Sequence, residues 1–368
     1  MTTDKQICGG KLARRLEALR ASLEANGLEA VQIHSRENSR YFAAFSGTTS
    51  EILLSLEGAW IFVDSRYREQ ALRQCEGYEV IQAQTGLLQA LGDFAAAKKL
   101  KRLGFEDESL SVREFRKLQE SCPDAEFKGC SDALNRLRWI KDEEELLCIR
   151  EAVRIADEAF AETWPQLRPG MRELELSALL EYNMQKRGAS GPSFATIAAS
   201  GLRSAMPHGV ATDKRIEAGD TVTLDFGCIY KGYCSDITRT FFVGSANPRI
   251  LDIYQIVLKA QLAAEAAVRP GMRGDEGDRF ARQVIEDAGY GAYFGHGLGH
   301  SLGLAIHEAP GLSPSFRETL PEGVILTVEP GIYVPGLGGV RIEDTCLLKS
   351  DGLEVLTQAS KDVLIVPA

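Results

Sequence analysis

The sequence predicts an α/β amino-terminal domain over residues 1–136. An α+β domain with an internal pseudo-twofold duplication follows over residues 137–368. Three observations predict this. Short apolar strand patterns alternate with helical ones through the first third of the chain, as in a layered α/β domain. Near "LRWIKDEEELLCIREAVRIADEAFAETW" a long charged-then-apolar helix opens. Arg168-Pro169-Gly170-Met171-Arg172 then returns residue for residue as Arg269-Pro270-Gly271-Met272-Arg273, an internal repeat too widely spaced for a solenoid.

Taken in order, Leu12, Leu16, Leu19 and Leu23 recur at helical spacing and Gly27 supplies a stop. Ala30–His34, Glu51–Leu56 and Ala59–Val63 read as strands, and 66–75 and 112–121 as helices. Glu143, Glu144 and Glu145 open the next helix, where the macrodipole favours negative charge. Each copy of the repeated pentapeptide follows an Ala-rich helix pattern and precedes another helix. The echo continues: "VTLDFGCIYKGYCSDITRTFFV" (222–243) is answered by "ILTVEPGIYVPGLGGVRIEDTCLL" (325–348). Both are strand–turn–strand patterns with one acid in each strand.

A chain of 368 residues suits two domains. Its 42 Lys and Arg against 52 Asp and Glu give a net charge of −10. With no basic cluster, a nucleic-acid partner is not expected. No run approaches the ~20 apolar residues of a membrane span, so no membrane partner is expected either. Met1–Gly10 is polar, and the eight cysteines are scattered without a Cys-x-x-Cys pair. That usage fits a reducing compartment, and a cytoplasmic location is expected.

In the first hairpin, Lys231-Gly232 fits a two-residue turn. With Tyr230 facing Tyr233, Asp225 lies opposite Thr238 and Asp236 opposite Gly227. The two acids then share a face, diagonally offset by roughly 7–8 Å. In the second, a five-residue loop Pro335–Gly339 would set Val334 against Val340. Glu329 then lies opposite Thr345, and Glu343 opposite Gly331. Half-buried carboxylates repel unless something neutralises them, and four acids in two echoing hairpins call for about two divalent cations. Cys228 has the opposite parity to Asp225 and reads as a buried thiol.

Four of the five histidines crowd into two motifs, "AMPHG" (205–209) and "FGHGLGHSLGLAIHEAP" (294–310), while His34 stands alone and reads as structural. The H-x-x-x-H spacing of His296 and His300 is not a zinc-binding helix. Gly295, Gly297, Gly299 and Gly303 would each cost a helix about 1 kcal/mol, so the stretch is expected to be extended or looped. One imidazole with four carboxylates suits Mn²⁺, Co²⁺, Fe²⁺ or Zn²⁺.

On these residues the sequence resembles the pita-bread metallopeptidases, in the branch of Xaa-Pro aminopeptidases and prolidases. The segment from His296 to Glu308 looks like that branch's signature. "ENSRYFAAFSG" (37–47) and "DSRYREQA" (64–71) are similar to its creatinase-like amino-terminal domain, which in the family contributes to dimerisation and narrows access to the site. The resemblance implies Asp225, Asp236, His300, Glu329 and Glu343 as metal ligands. Asp236 and Glu343 would bridge two divalent ions per subunit, Asp225 would chelate one, and His300 with Glu329 would hold the other. Manganese is expected, with cobalt, zinc or iron as alternatives.

The same resemblance implies catalytic roles for His208, His307 and Glu329, the last as proton acceptor. It places His296 on the proline side of the substrate. Arg341 would contact substrate or orient a bridging carboxylate, and Thr238 would support the ligands. The implied activity is a homodimeric Xaa-Pro aminopeptidase acting on peptides with proline second, by water activated between the metals. A prolidase is the alternative, and a non-catalytic binding module a more distant one, disfavoured because all five ligands are present. Ser301 stands where relatives frequently carry glycine.

Overall fold

The computed structural model describes residues 3–367, with side chains from Gly10 onward. The reading of Met1–Gly10, Cys8 included, lies outside those described side chains except at Gly10. The chain divides into two compact units between Arg138 and Trp139.

The first unit is built on a six-stranded mixed sheet. Its strands run in the order Glu79–Gln82, Ala59–Val63, Glu51–Ser55, Ala30–Ile33, Arg102–Phe105, Glu126–Gly129. The three earliest strands match the apolar runs of the sequence. The Thr3–Ala25 helix begins well before the expected position 12. It buries Leu19 and Leu23, and the chain turns at Gly27, whose φ of 68° favours glycine. The Val112–Ser121 helix lies where its pattern predicted, capped by a Ser111–Glu114 capping box. His34 is paired internally: Nδ1 lies 2.7 Å from Glu51 Oε1, while Gln32 Nε2 donates to Glu51 Oε2 at 2.6 Å.

In the second unit the sequence echo becomes a structural one. The Glu143–Thr163 helix starts on an Asp142–Glu145 capping box and leads to the first pentapeptide. The Pro248–Ala267 helix leads to the second. Gly170 and Gly271 both take positive φ, 89° and 86°. Gly170 N donates to Ile216 O at 2.8 Å, and Gly271 N to Leu320 O at 2.9 Å. Arg172 N bonds Glu175 at 2.7 Å and Arg273 N bonds Glu276 at 2.9 Å, opening the Glu173–Lys186 and Gly274–Asp287 helices. Equivalent backbone bonds at equivalent positions are what a duplicated half-domain predicts.

The copies differ where packing differs. Glu173 is buried and accepts hydrogen bonds from Ser200, Arg203 and Thr212. Its counterpart Gly274 has no room for a side chain, since an added Cβ would collide with Gly311 O and press on Phe316.

The first hairpin adopts the expected register, Tyr230 across from Tyr233 and Asp225 across from Thr238. Both turn residues have positive φ, Lys231 at 46° and Gly232 at 84°, as a type I′ turn requires. In the second hairpin the register differs from expectation by two residues. Val334 pairs with Gly338 and Gly331 with Arg341, while Val328 pairs with Asp344. The loop is therefore three residues, with positive φ at Gly336 and at the pairing Gly338. An even shift preserves face parity. Continuing the register sets Glu329 across from Glu343 rather than diagonal to it.

Gly274→Ala is expected to destabilise the protein by about 1–3 kcal/mol through overpacking. Urea unfolding would check this; an unchanged midpoint would mean that the Gly311–Phe316 loop yields freely.

Candidate metal centre

Asp225 is the penultimate residue of a wholly buried strand, Thr221–Phe226, and Asp236 immediately precedes its partner Ile237–Val243. Glu329 and Glu343 flank the corresponding strands, Ile325–Val328 and Asp344–Lys349. His300 sits in the short strand Gly299–Ser301, not in a helix. Gly299 is required there, because an added Cβ would meet the Thr327 backbone. All nine candidate residues line one cavity of about 700 Å³: Asp225, Asp236, Glu329, Glu343, Arg341 and the histidines 208, 296, 300 and 307.

The floor of the cavity is a donor cluster. Ligand atoms of Asp236, His300 and Glu343 lie within 4.8 Å of one another. His300 Nε2 is 3.3 Å from Glu329 Oε1 and 3.6 Å from Asp236 Oδ2. His300 Nδ1 stands 3.0 Å from Ser301 O, which can only accept, so Nδ1 carries the proton and Nε2 turns a lone pair towards the two carboxylates. A lone pair facing anionic oxygens is repulsive. Atoms ligating one ion at about 2.0–2.2 Å lie roughly 3–3.5 Å from each other, so the spacing is that of a shared cation. Asp225 Oδ1, Asp236 Oδ1 and Glu343 Oε1 are buried without a hydrogen-bond partner. Orphaned carboxylate oxygens are costly. The residues fit divalent metal.

Hydrogen-bond donors support the carboxylates. Thr238 Oγ1 donates to Glu343 Oε2 at 2.7 Å, and Thr327 Oγ1 to Glu329 Oε1 at 3.1 Å. Arg341 reaches Asp225 Oδ2 with Nη2 at 2.5 Å, Thr238 with Nε at 3.0 Å and Tyr333 with Nη1 at 2.7 Å. Tyr333 OH lies 3.0 Å from His296 Nε2. Sequence reasoning missed Tyr333 and Thr327, although both share strand parity with Glu329. Cys228 is fully buried, its thiol donating to Ala152 O at 3.3 Å.

Burial raises Asp236 well above the usual carboxylate range, reinforced by Glu343, Asp225 and Glu329. Burial does the same to Glu343, with Glu329 and Asp225 adding to it. Glu329 is also raised by burial, against the opposing pull of His296 and Arg341. Burial lowers His300, His296 and His307, and neighbouring His300 and His208 lower His307 further. These imidazoles are accordingly neutral near pH 7.

A buried pair outside the ligand set holds the loop that carries His307. Lys141 Nζ meets Glu308 Oε2 at 2.8 Å, with side chains 1% and 5% exposed. Glu308 Oε1 accepts from Ala305 N at 3.0 Å. Ser301, the departure noted in the motif, is fully buried with Oγ 3.5 Å from the same lysine, so the extra hydroxymethyl is accommodated.

Residues 147–350 match the model of metallopeptidase family M24, and residues 15–140 match the creatinase/prolidase N-terminal domain. An Xaa-Pro dipeptidase of Pyrococcus furiosus is 42% identical over 358 residues, covering 96% of this chain and 100% of that protein. The structure of an Xaa-Pro dipeptidase from Bacillus anthracis superposes with a TM-score of 0.93 at 44% identity, covering 96% of this chain and all of that one. An X-Pro aminopeptidase from Thermotoga maritima does so with a TM-score of 0.87 at 40% identity and the same coverage. The chain belongs to metallopeptidase family M24. It is a metallopeptidase with a creatinase-like amino-terminal domain and a pita-bread catalytic domain, a family that works with divalent metal ions.

Two predictions follow from the buried charges. A carboxylate raised in the folded state keeps its proton to higher pH than when unfolded. Metal-free stability therefore falls as pH climbs from the ordinary carboxylate range, about 4, through the raised values. Metal must displace those protons, so its stabilisation grows over the same window. The Tm gained when Mn²⁺ is added to chelator-treated protein should be larger at about pH 7.5 than at about pH 5.5; equal gains would count against this cluster as the site. Lys141→Met should destabilise by about 3–5 kcal/mol by taking the ammonium away from the buried Glu308 carboxylate. Replacing both partners with apolar residues should cost less, as denaturant titration would show.

Proposed function

We propose that the protein hydrolyses the peptide bond preceding proline at the amino terminus of short peptides. Asp225, Asp236, His300, Glu329 and Glu343 would hold two divalent ions. The observation that carries the reading is the convergence of these donors, with three orphaned carboxylate oxygens, on the floor of a cavity whose walls are apolar. Phe194, Ala195, Ile197, Pro207, Val210 and Ile306 supply those walls. Proline offers a ring and an amide without N–H, so shape and apolar contact are what a site can read. The names of the relatives support the same bond.

Bound divalent ions acidify water and polarise a carbonyl. The chain's own residues do the rest. Thr238 and Arg341 orient Glu343 and Asp225, fixing the ligands before substrate arrives. Thr327 occupies Glu329 Oε1, so proton uptake falls to Oε2. His208 and the neutral His307 border the cavity as donors towards the carbonyl oxygen as it gains charge. His296, held between Gly297 O and Tyr333 OH, forms a wall on the proline side.

Free Xaa-Pro dipeptides are the primary substrate reading, supported by dipeptidase relatives at 42–44% identity. The aminopeptidase form, favoured by the "DSRYREQA" string, is supported by the Thermotoga maritima structure and by one observation. Among the described residues lining the cavity, Arg341 is the single arginine or lysine. Its nitrogens are taken by Asp225, Thr238, Tyr333 and Pro207 O. A free terminal carboxylate would therefore have to be met by histidine or backbone N–H.

Manganese is the preferred ion for this oxygen-rich, single-imidazole set. Cys75, Cys122, Cys130, Cys228 and Cys346 are free thiols, which supports a cytoplasmic location. A homodimer with the amino-terminal domain (1–136) at its interface rests on the family resemblance.

Turnover of Ala-Pro against Ala-Pro-Ala and longer Ala-Pro peptides, with defined metals, tests the reading. Activity confined to Ala-Pro supports the dipeptidase, and equal or better turnover of longer peptides the aminopeptidase. No release of alanine from any of them rejects both. Glu343→Gln should lower kcat by at least about 10³-fold and reduce metal content; His307→Ala should lower kcat by about 10²–10³-fold with metal content intact.

A further inference from the structure

The glycine-rich loop bearing His296 has no stiffness of its own, because Gly295, Gly297 and Gly299 flank it and glycine loses the most backbone freedom on ordering. Yet His296 must be held still to serve as a wall. Its restraint comes from the Gly274–Asp287 helix behind it. Asp278 and Arg282 lie one turn apart on that helix and pair at 2.6 and 2.9 Å, bidentate. The guanidinium then donates to the carbonyls of Phe294 at 3.1 Å and His296 at 2.7 Å. Asp278 Oδ1 accepts from Leu298 N at 2.9 Å. Two side chains thus bond the backbone before, at and after His296.

The rings complete the grip. Arg282 lies 4.3 Å over the Phe294 ring, and Phe294 meets the His296 ring edge-on at 5.0 Å. Asp278 is 1% exposed, and neither residue lines the cavity. A charged pair with its carboxylate fully buried is an expensive way to gain stability, and all its remaining hydrogen bonds go to the loop. In the duplicated half the equivalent helix carries Ser177 and Glu181 instead, and Glu181 bonds Thr196 rather than a loop carbonyl. The clamp belongs only to the half that carries the histidine motif.

We propose that Asp278 and Arg282 are positioning residues that clamp the 294–298 backbone, and that through His296 they set affinity for the proline residue of the substrate. The proposal rests on the Xaa-Pro reading above. The site is carried by side chains some distance along the chain from the motif itself, so substrate affinity is tunable from a helix that never touches substrate.

The test uses the metal-loaded full chain with Arg282→Met, Arg282→Lys, Asp278→Asn and His296→Ala, and combines Arg282→Met with His296→Ala. Arg282→Met should raise KM for the best Xaa-Pro peptide by about tenfold while kcat stays within about threefold, with metal content unchanged. Arg282→Lys, which keeps charge but not the two-pronged donor, should recover part of the loss. In the His296→Ala background Arg282→Met should change KM by less than about twofold. Amide exchange across 294–299 should quicken in Arg282→Met and Asp278→Asn. A loss confined to kcat, loss of metal, or an undiminished effect without His296 overturns the proposal. If Arg282→Met does not fold, Asp278→Asn decides by the same measurements. Should the wild type cleave no Xaa-Pro peptide, the substrate reading falls. The exchange arm then judges the clamp alone: unchanged amides reject it and quickened amides retain it.

Discussion

Four carboxylates and one imidazole lone pair share the floor of a single cavity, and like charges at such spacing cannot coexist in a poorly solvated place without a cation. Burial and mutual repulsion raise Asp236 and Glu343 together, so in the absence of metal the cluster opposes folding at neutral pH. The rest of the catalytic unit is arranged around that constraint. Thr238 and Arg341 each take one carboxylate oxygen and leave another turned inward. Divalent ions then convert the main electrostatic cost of the fold into its chemical purpose.

Such a site needs anchorage that does not compete for the ligand oxygens. Arg239 provides it from behind, almost fully buried, donating to the Glu343 carbonyl at 2.5 Å and to Asp344 Oδ1 at 2.7 Å. The same guanidinium reaches Ala359 O, and Lys361 meets Asp344 Oδ2 at 2.5 Å, so the carboxy-terminal segment is tied to the strand beginning beside Glu343. Lys141 and Glu308 do likewise for the His307 loop. Buried ion pairs contribute little net stability once desolvation is counted. Their value here is that each admits one geometry, which a reactive cluster requires and an apolar contact does not impose.

Legibility followed the range of the forces involved. The first hairpin could be read in full because a two-residue Lys-Gly turn permits few registers, and Asp225 and Asp236 then had to share a face. The second hairpin was read with the correct faces and the wrong offset. Gly336, Gly338 and Gly339 allow several loop lengths, and the choice of three residues depends on packing that a single strand pattern does not encode. Gly338 and Gly339, for instance, sit against Ser204, whose hydroxyl accepts from Gly339 N at 2.9 Å.

Metal-binding character was determined by the sequence alone. Acids at matched parity in echoing strands, and a histidine among glycines that forbid a helix, leave few other arrangements. What only the tertiary structure decided is how those groups are held. Tyr333 bridging His296 to Arg341, Arg239 under Glu343, and Asp278 with Arg282 behind the glycine-rich loop are contacts between residues up to about a hundred positions apart. Periodicity and turn chemistry act over a few residues, so they announce which side chains face a cavity. Hydrogen-bond partners are chosen by packing between distant segments, and that choice exists only once the chain has folded.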